Sequence, residues 1–232
     1  MHRALFPVLA FCAATAFAQS AITPRGPGAG ADSREFREEA AAQYRKILTG
    51  LSTRGKLDDD EVMLERVRRI SRGLVIAAAE VRPETAAWSW EIHVTSDASK
   101  GAFCMAGGKL LVGSVFVKRL DLDDGELAML LGHEIAHAVA GHRREAARAS
   151  MESDAAEEIR QAQIAVMQEN EADRIGMDLA YRAGWPTAGL VSFYDKLAAQ
   201  EGPGTFNSSH PSAQSRATTA RAIAQTLDKQ PR

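Results

Sequence analysis

His133-Glu134-Ile135-Ala136-His137 places two imidazoles and a carboxylate at the H-E-x-x-H spacing, which has a chemical meaning on a helix. Each helical residue advances about 100°, so His133 and His137 project about 40° apart, one turn above the other, and can share a metal ion. The chemistry expected is a zinc site with a built-in base. Glu134 falls beside the pair, where its carboxylate can take the proton of a metal-activated water as that water attacks a peptide carbonyl. The plainer alternative is an amphipathic helix that happens to carry two histidines, and in a chain with only six His such a match by chance is rare.

A catalytic zinc normally takes three protein ligands and keeps a fourth position for water, so two histidines are not enough. The candidates for the third are His142, Glu169, Glu171, Asp173 and His210. His142 follows His133 by about 900° of helical rotation, on the far side of the same helix, and can join the pair only if the helix ends at Gly141. On a later helix Glu169 and Asp173 stand four apart and share a face with Ala172, Gly176, Leu179 and Ala180. Glu171, Arg174 and Asp178 share the opposite face, expected for solvent. Facing therefore favours Glu169 as the third ligand, with Asp173 one turn on to accept the ring N–H of a ligating histidine and fix its tautomer. By themselves the two acids read as ordinary surface groups. His210 offers either a donor that stabilises a tetrahedral oxyanion or a loop histidine ahead of a helix opened by Pro211.

The elements that must position these groups are mostly helical. Ser33 to Leu48 suits an amphipathic helix strapped onto the main body, and Asp58-Asp59-Asp60 offers N-caps for a core helix through Val62, Val67, Ile70, Leu74 and Val75 that ends near Pro83. Trp90 to Thr95 alternates like a strand, and Lys109 to Lys118 reads as one or two more, entered from Phe103 to Met105 through a Gly107-Gly108 turn. The strand near Leu110 to Val117 is expected to lend its edge to an extended substrate. Asp123 or Asp124 caps the motif helix, whose buried stripe is Leu127, Leu131, Ile135 and Ala138. The charged stretch after Gly141, to about Gln163, reads as a solvated helix or a flap over the cleft. A second long helix runs through Tyr181 and closes at Gly184 and Pro186, and another spans Thr187 to Ala199.

The ends and the composition bound the setting. Met1 to Ala18 carries His2 and Arg3, an apolar run and Ala16-Phe17-Ala18, the pattern of a cleaved export signal. The Gly- and Pro-rich residues 19–32 read as a disordered leader, and residues 33–232 as a single domain. Export points to the periplasm, with secretion or peripheral membrane association as alternatives. No later segment is long and apolar enough for a membrane span, and a net charge of −2 without a long basic run excludes nucleic acid as a natural partner. Of two cysteines only Cys104 survives signal cleavage, so no internal disulfide is expected. No 34-residue helical-hairpin repeat is evident.

His133-Glu134-Ile135-Ala136-His137 followed by Glu169-Asn170-Glu171-Ala172-Asp173 resembles the gluzincin metallopeptidases of the HtpX, CAAX prenyl protease and BepA group. The resemblance runs from about Gly101 to Arg216, and the group's E-x-x-x-D motif implies Glu169 as third ligand and Asp173 as its neighbour's support. His210-Pro211, with Arg216 six residues after the histidine, resembles a late motif in which the histidine approaches the metal, sometimes as a plug. This chain has Gly101-Ala102-Phe103 where the group often has Asn-Ala-Phe. The implied fold is α+β, mostly helical and zincin-like, with a small antiparallel sheet packed on the motif helix. The implied function is a metalloendopeptidase with one Zn2+ per chain, catalytic Glu134 and His210, metal ligands His133, His137 and Glu169, and polypeptide substrates such as damaged exported proteins. The rivals are a zinc-stabilised chaperone with a plugged site and a zinc hydrolase acting on something other than peptides. A CAAX-processing role is not expected.

Overall fold

Two side-chain caps start the fold. Ser33 accepts from the Phe36 amide and opens α1 (Arg34–Thr53), and Asp60 accepts from the Met63 amide and opens α2 (Glu61–Val81). The computed structural model describes residues 33–142, 155–200 and 212–229; the predicted export signal, the 19–32 leader, most of the predicted flap and His210 lie outside the described residues. Asp58 is not a helix cap. In a left-handed conformation (φ 54°), it accepts from the Val94 amide at 2.9 Å and pairs with His93 Nδ1 at 2.6 Å, tying the α1–α2 loop to the sheet. Along α2 the residues Val67, Ile70 and Leu74 are buried as expected, whereas Val62 is 82% exposed because Met63 and Leu64 take the inward positions of the first turn.

Pro83 lacks the amide that α2 would need to continue, and the chain turns through a short 3-10 helix, Pro83–Ala87. Three strands follow: β1 (Glu91–Thr95), β2 (Ala102–Met105) and β3 (Lys109–Gly113), in the spatial order β1-β3-β2. The sheet is mixed, not antiparallel throughout. β2 and β3 form the expected hairpin through Gly107 and Gly108, both at positive φ, but β1 and β3 run parallel. β2 runs opposite to β1 at one strand's remove, and β3 turns back into that gap in the direction of β1. The expectation that β3 lends an edge to substrate is overturned, since both of its edges are already paired.

The run Lys109 to Lys118 is not all strand either. It breaks at Gly113, where a Cβ would collide with the Lys100 carbonyl, and Ser114–Arg119 forms the short helix α3. Val117 and Leu120 are buried there while Val115 and Lys118 are exposed, a helical period that a short apolar run does not announce. One face of the sheet, with Leu111, Phe103 and Met105, receives Tyr44 and Leu51 of α1. Tyr44 is fully buried and donates its hydroxyl to the Leu110 carbonyl at 2.6 Å. The other face, with Val94, Cys104, Leu110 and Val112, joins the main core beneath α2 and α4.

Helix α4 (Asp124–Ala140) is the spine of that core. Asp123 and Glu126 close a capping box at its start, and Glu126 also accepts from Ser192 Oγ at 2.6 Å and Lys196 Nζ at 2.7 Å on α6 (Thr187–Gln200). At its other end buried Arg82 donates to the Val139 carbonyl, one of the last-turn acceptors without a helical partner. The long helix α5 (Ala155–Arg182) crosses α4 where Gly132 meets Gly176: a Cβ on Gly176 would stand 2.7 Å from the His133 amide nitrogen. Only main chain meets main chain there. α7 (Ala213–Leu227) packs Ala217, Ala220 and Ala224 against α5 and α6. No helix among the described residues is long and apolar enough to cross a membrane.

Candidate metal centre

From Gly125 to Val139 every residue of α4 is buried except Glu134 and His137, so two of the motif's three reactive groups reach towards solvent while His133 is enclosed. His133 and His137 stack one turn apart with Nε2 atoms 3.1 Å from each other. Across the Gly132–Gly176 crossing, α5 brings Glu169 to them. Its Oε2 lies 3.4 Å from His133 Nε2 and its Oε1 3.3 Å from His137 Nε2. Tetrahedral ligand bonds of about 2.0–2.1 Å need donor atoms about 3.3 Å apart, which is close to the distance of each imidazole nitrogen from the other and from the Glu169 oxygen facing it. Among the described residues this is the metal-capable His/Cys/Asp/Glu cluster.

Asp173, one turn beyond Glu169, stands behind His133. Its Oδ1 lies 2.8 Å from His133 Nδ1 and also receives Tyr194 Oη and Arg216 Nη2, each at 2.6 Å. Arg216 Nε reaches the other oxygen at 2.8 Å, making the pair bidentate, and its guanidinium lies 5.2 Å over the Tyr194 ring. The site thus draws on α4, α5, α6 and α7. Burial would drive the proton off His133, yet hydrogen bonds to Asp173 and Glu169 overrule it and lift its pKa to about 9. Burial likewise pushes against ionised Asp173, and His133 with Arg216 holds it at about 2 instead. Glu169 is held well below the usual carboxylate range, against its burial, by the two imidazoles. Glu134 adds a third carboxylate in electrostatic reach of His133. Three acids face one guanidinium around the imidazoles, an environment made for additional positive charge.

Sequence reasoning placed Glu171 and Asp178 on a solvent face, and the structure does not. Asp178 is 4% exposed and pairs with Arg182 at 2.8 Å, because α2 covers that side of α5. Glu171 is half-buried and reaches His142. The helix does end at Gly141, in the left-handed conformation (φ 78°), so His142 folds back over the last turn. There its Nδ1 lies 2.9 Å from His137 Nδ1, and its Nε2 lies 3.4 Å from Glu171 Oε2. It meets the side of His137 away from the three-atom cluster. His142 as a partner of His137, and Tyr194 and Arg216 as partners of Asp173, were missed as site residues. Gly141 was the available signal for the first; Arg216 was noted only as part of the late motif after His210, with no role of its own, and Tyr194 depends on how helices pack. His210, the remaining candidate, lies outside the described residues.

Residues 64–165 match the family model described as Peptidase family M48. Over 215 residues the chain is 25% identical to "Mitochondrial metalloendopeptidase OMA1" of Arabidopsis thaliana, covering 84% of this chain and 44% of that protein. It is 28% identical over 158 residues to "Metalloprotease YcaL" of Escherichia coli (strain K12), covering 57% and 61% of the two chains. A shorter stretch of 59 residues is 42% identical to "Metalloendopeptidase OMA1, mitochondrial" of Homo sapiens, 25% of this chain and 11% of that one. The chain thus spans about half the length of the first two relatives, and little of the third.

Proposed function

From a chain whose residues 64–165 match the model of Peptidase family M48, we propose a zinc-dependent endopeptidase that hydrolyses exported polypeptides, misfolded or held extended, with Glu134 as general base. The observation that carries this reading is the cluster of His133 Nε2, His137 Nε2 and the Glu169 carboxylate, which turns one oxygen to each imidazole at 3.3 to 3.4 Å, with Glu134 beside it on the solvent side of a buried helix. His133, His137 and Glu169 would hold the ion, leaving room for a catalytic water as open zinc sites do. The metal, when bound, supplies a Lewis acid that acidifies water and polarises a carbonyl. Glu134 accepts the proton of the attacking water and returns it to the leaving amine. Asp173, clamped by Arg216 and Tyr194, keeps the His133 proton on Nδ1 and so keeps Nε2 free to bind.

Substrate would add beside β2, the outermost strand next to β3 in the described sheet, which packs against α4. Main-chain pairing of that kind asks for an extended segment more than for a particular sequence, in keeping with unfolded clients. His210 would act as oxyanion donor or plug, and the apolar Met1 to Ala18 stretch supports export to the periplasm. The test is casein degradation by the zinc-loaded protein, with and without chelator, beside Glu134→Gln. Cleavage should stop on chelation and fall about 100- to 10,000-fold in the variant while its zinc content stays the same. Zinc and client binding with no cleavage, even after His210→Ala, would favour a binding protein instead.

A further inference from the structure

We infer that His142 and Glu171 form a supporting row behind His137, in which His142 is a positioning residue that fixes the tautomer and ring plane of that imidazole and Glu171 fixes His142 in turn. The inference rests on the reading of His133, His137 and Glu169 as a metal centre. His137 Nε2 is the atom that faces the other two donors, so it must present a lone pair and the ring's proton must sit on Nδ1. That Nδ1 lies 2.9 Å from His142 Nδ1, which must then be the acceptor. The proton of His142 is thereby assigned to Nε2, where Glu171 Oε2 stands 3.4 Å away to receive it. Each N–H along the row meets an acceptor, and no other arrangement of protons leaves His137 Nε2 able to bind a cation.

The chain is shaped to make this contact. In an unbroken helix residue 142 would project about 140° away from residue 137, and only the left-handed turn at Gly141 brings the two rings together. The rings are nearly perpendicular, 79° between planes with centroids 5.0 Å apart, and His142 is 4% exposed, so its position is set by surrounding structure. The two histidines of the motif are therefore backed differently. His133 leans on an ionised carboxylate, itself pinned by Arg216, whereas His137 leans on the ring nitrogen of another imidazole.

The test uses the full chain as wild type, His142→Ala, His142→Gln and Glu171→Leu. Three quantities are read: the zinc dissociation constant by competition with a chelating dye, the visible absorption of the cobalt(II)-substituted protein, and the unfolding midpoint of the metal-free protein. His142→Ala should weaken zinc by about 10- to 100-fold and shift the cobalt bands. His142→Gln, whose amide still offers an acceptor to His137 and a donor to Glu171, should recover most of the affinity, and Glu171→Leu should lose less than His142→Ala. Equal affinity and an identical cobalt spectrum in His142→Ala would overturn the row. So would a glutamine variant as poor as alanine with a metal-free midpoint that falls in step, since that is the signature of packing alone. A wild type that takes up no zinc would overturn the centre itself, a failure distinguishable from that of the row.

Discussion

Asp173 is 1% exposed and ionised, and three donors converge on one of its oxygens. A buried carboxylate of this kind is tolerable only while its cation is present, so truncating the partner leaves an uncompensated charge rather than a lost contact. Arg216→Met should therefore lower the stability of the protein by about 3 kcal/mol in urea denaturation. Arg216→Lys, which keeps the charge but not the fork, should fall between the two. A methionine variant as stable as wild type would mean that Asp173 is neutral in the folded protein. At this scale the pairing of His133 with Glu134 and His137 was legible because a helix converts spacing into direction, and the same rule put Glu169 and Asp173 on one face. It failed at His142, where a single left-handed residue resets the rotation count, and it could not join Tyr194 or Arg216 to Asp173: the late motif marked Arg216 without a role, and both arrive on helices whose relative placement no local spacing encodes.

Glu126 joins two elements: it closes the capping box of α4 and receives Ser192 and Lys196 from α6. Burial acts to raise its pKa, but those hydrogen bonds outweigh it and the net shift is downward. A carboxylate lowered in the folded state contributes stability that is present above its unfolded pKa and is lost as pH falls through the folded one. Glu126→Gln keeps the capping geometry and loses the charge, so its melting temperature should lie below that of wild type at pH 7, and the gap should close as pH falls towards 3. A gap that stays constant would assign the effect to packing. The starts of α1 and α2 and the end of α2 were readable because Ser33, Asp60 and Pro83 act within a few residues of themselves, whereas α1 runs past the expected Leu48 to Thr53. The direction of β1 against β3 was not readable, since it depends on β2 pairing antiparallel with β3, nor was the helical turn at Ser114, whose period a short apolar run does not announce.

Four helices contribute side chains to the centre and its supports, so the site exists only when the helical body is assembled, and an ion bound there stabilises the whole. At free zinc about 100-fold above its dissociation constant the gain is about 2.7 kcal/mol, which for a protein of this size raises the melting temperature by about 5 to 10 °C. Calorimetry with zinc and with excess chelator measures it directly, and superimposed transitions would contradict the assignment. Gly176→Ala probes the same coupling through the frame: its Cβ would stand 2.7 Å from the His133 nitrogen and 2.9 Å from its Cα, so α5 must back away. We expect a loss of about 1–3 kcal/mol together with weaker zinc binding, as Glu169 is carried off with its helix. The contact between Gly132 and Gly176 works as a gauge block. An interval set by two main chains has no rotamers to relax into, so drift among the leucines and alanines around it can loosen or tighten the core without recalibrating the bite of the three donor atoms.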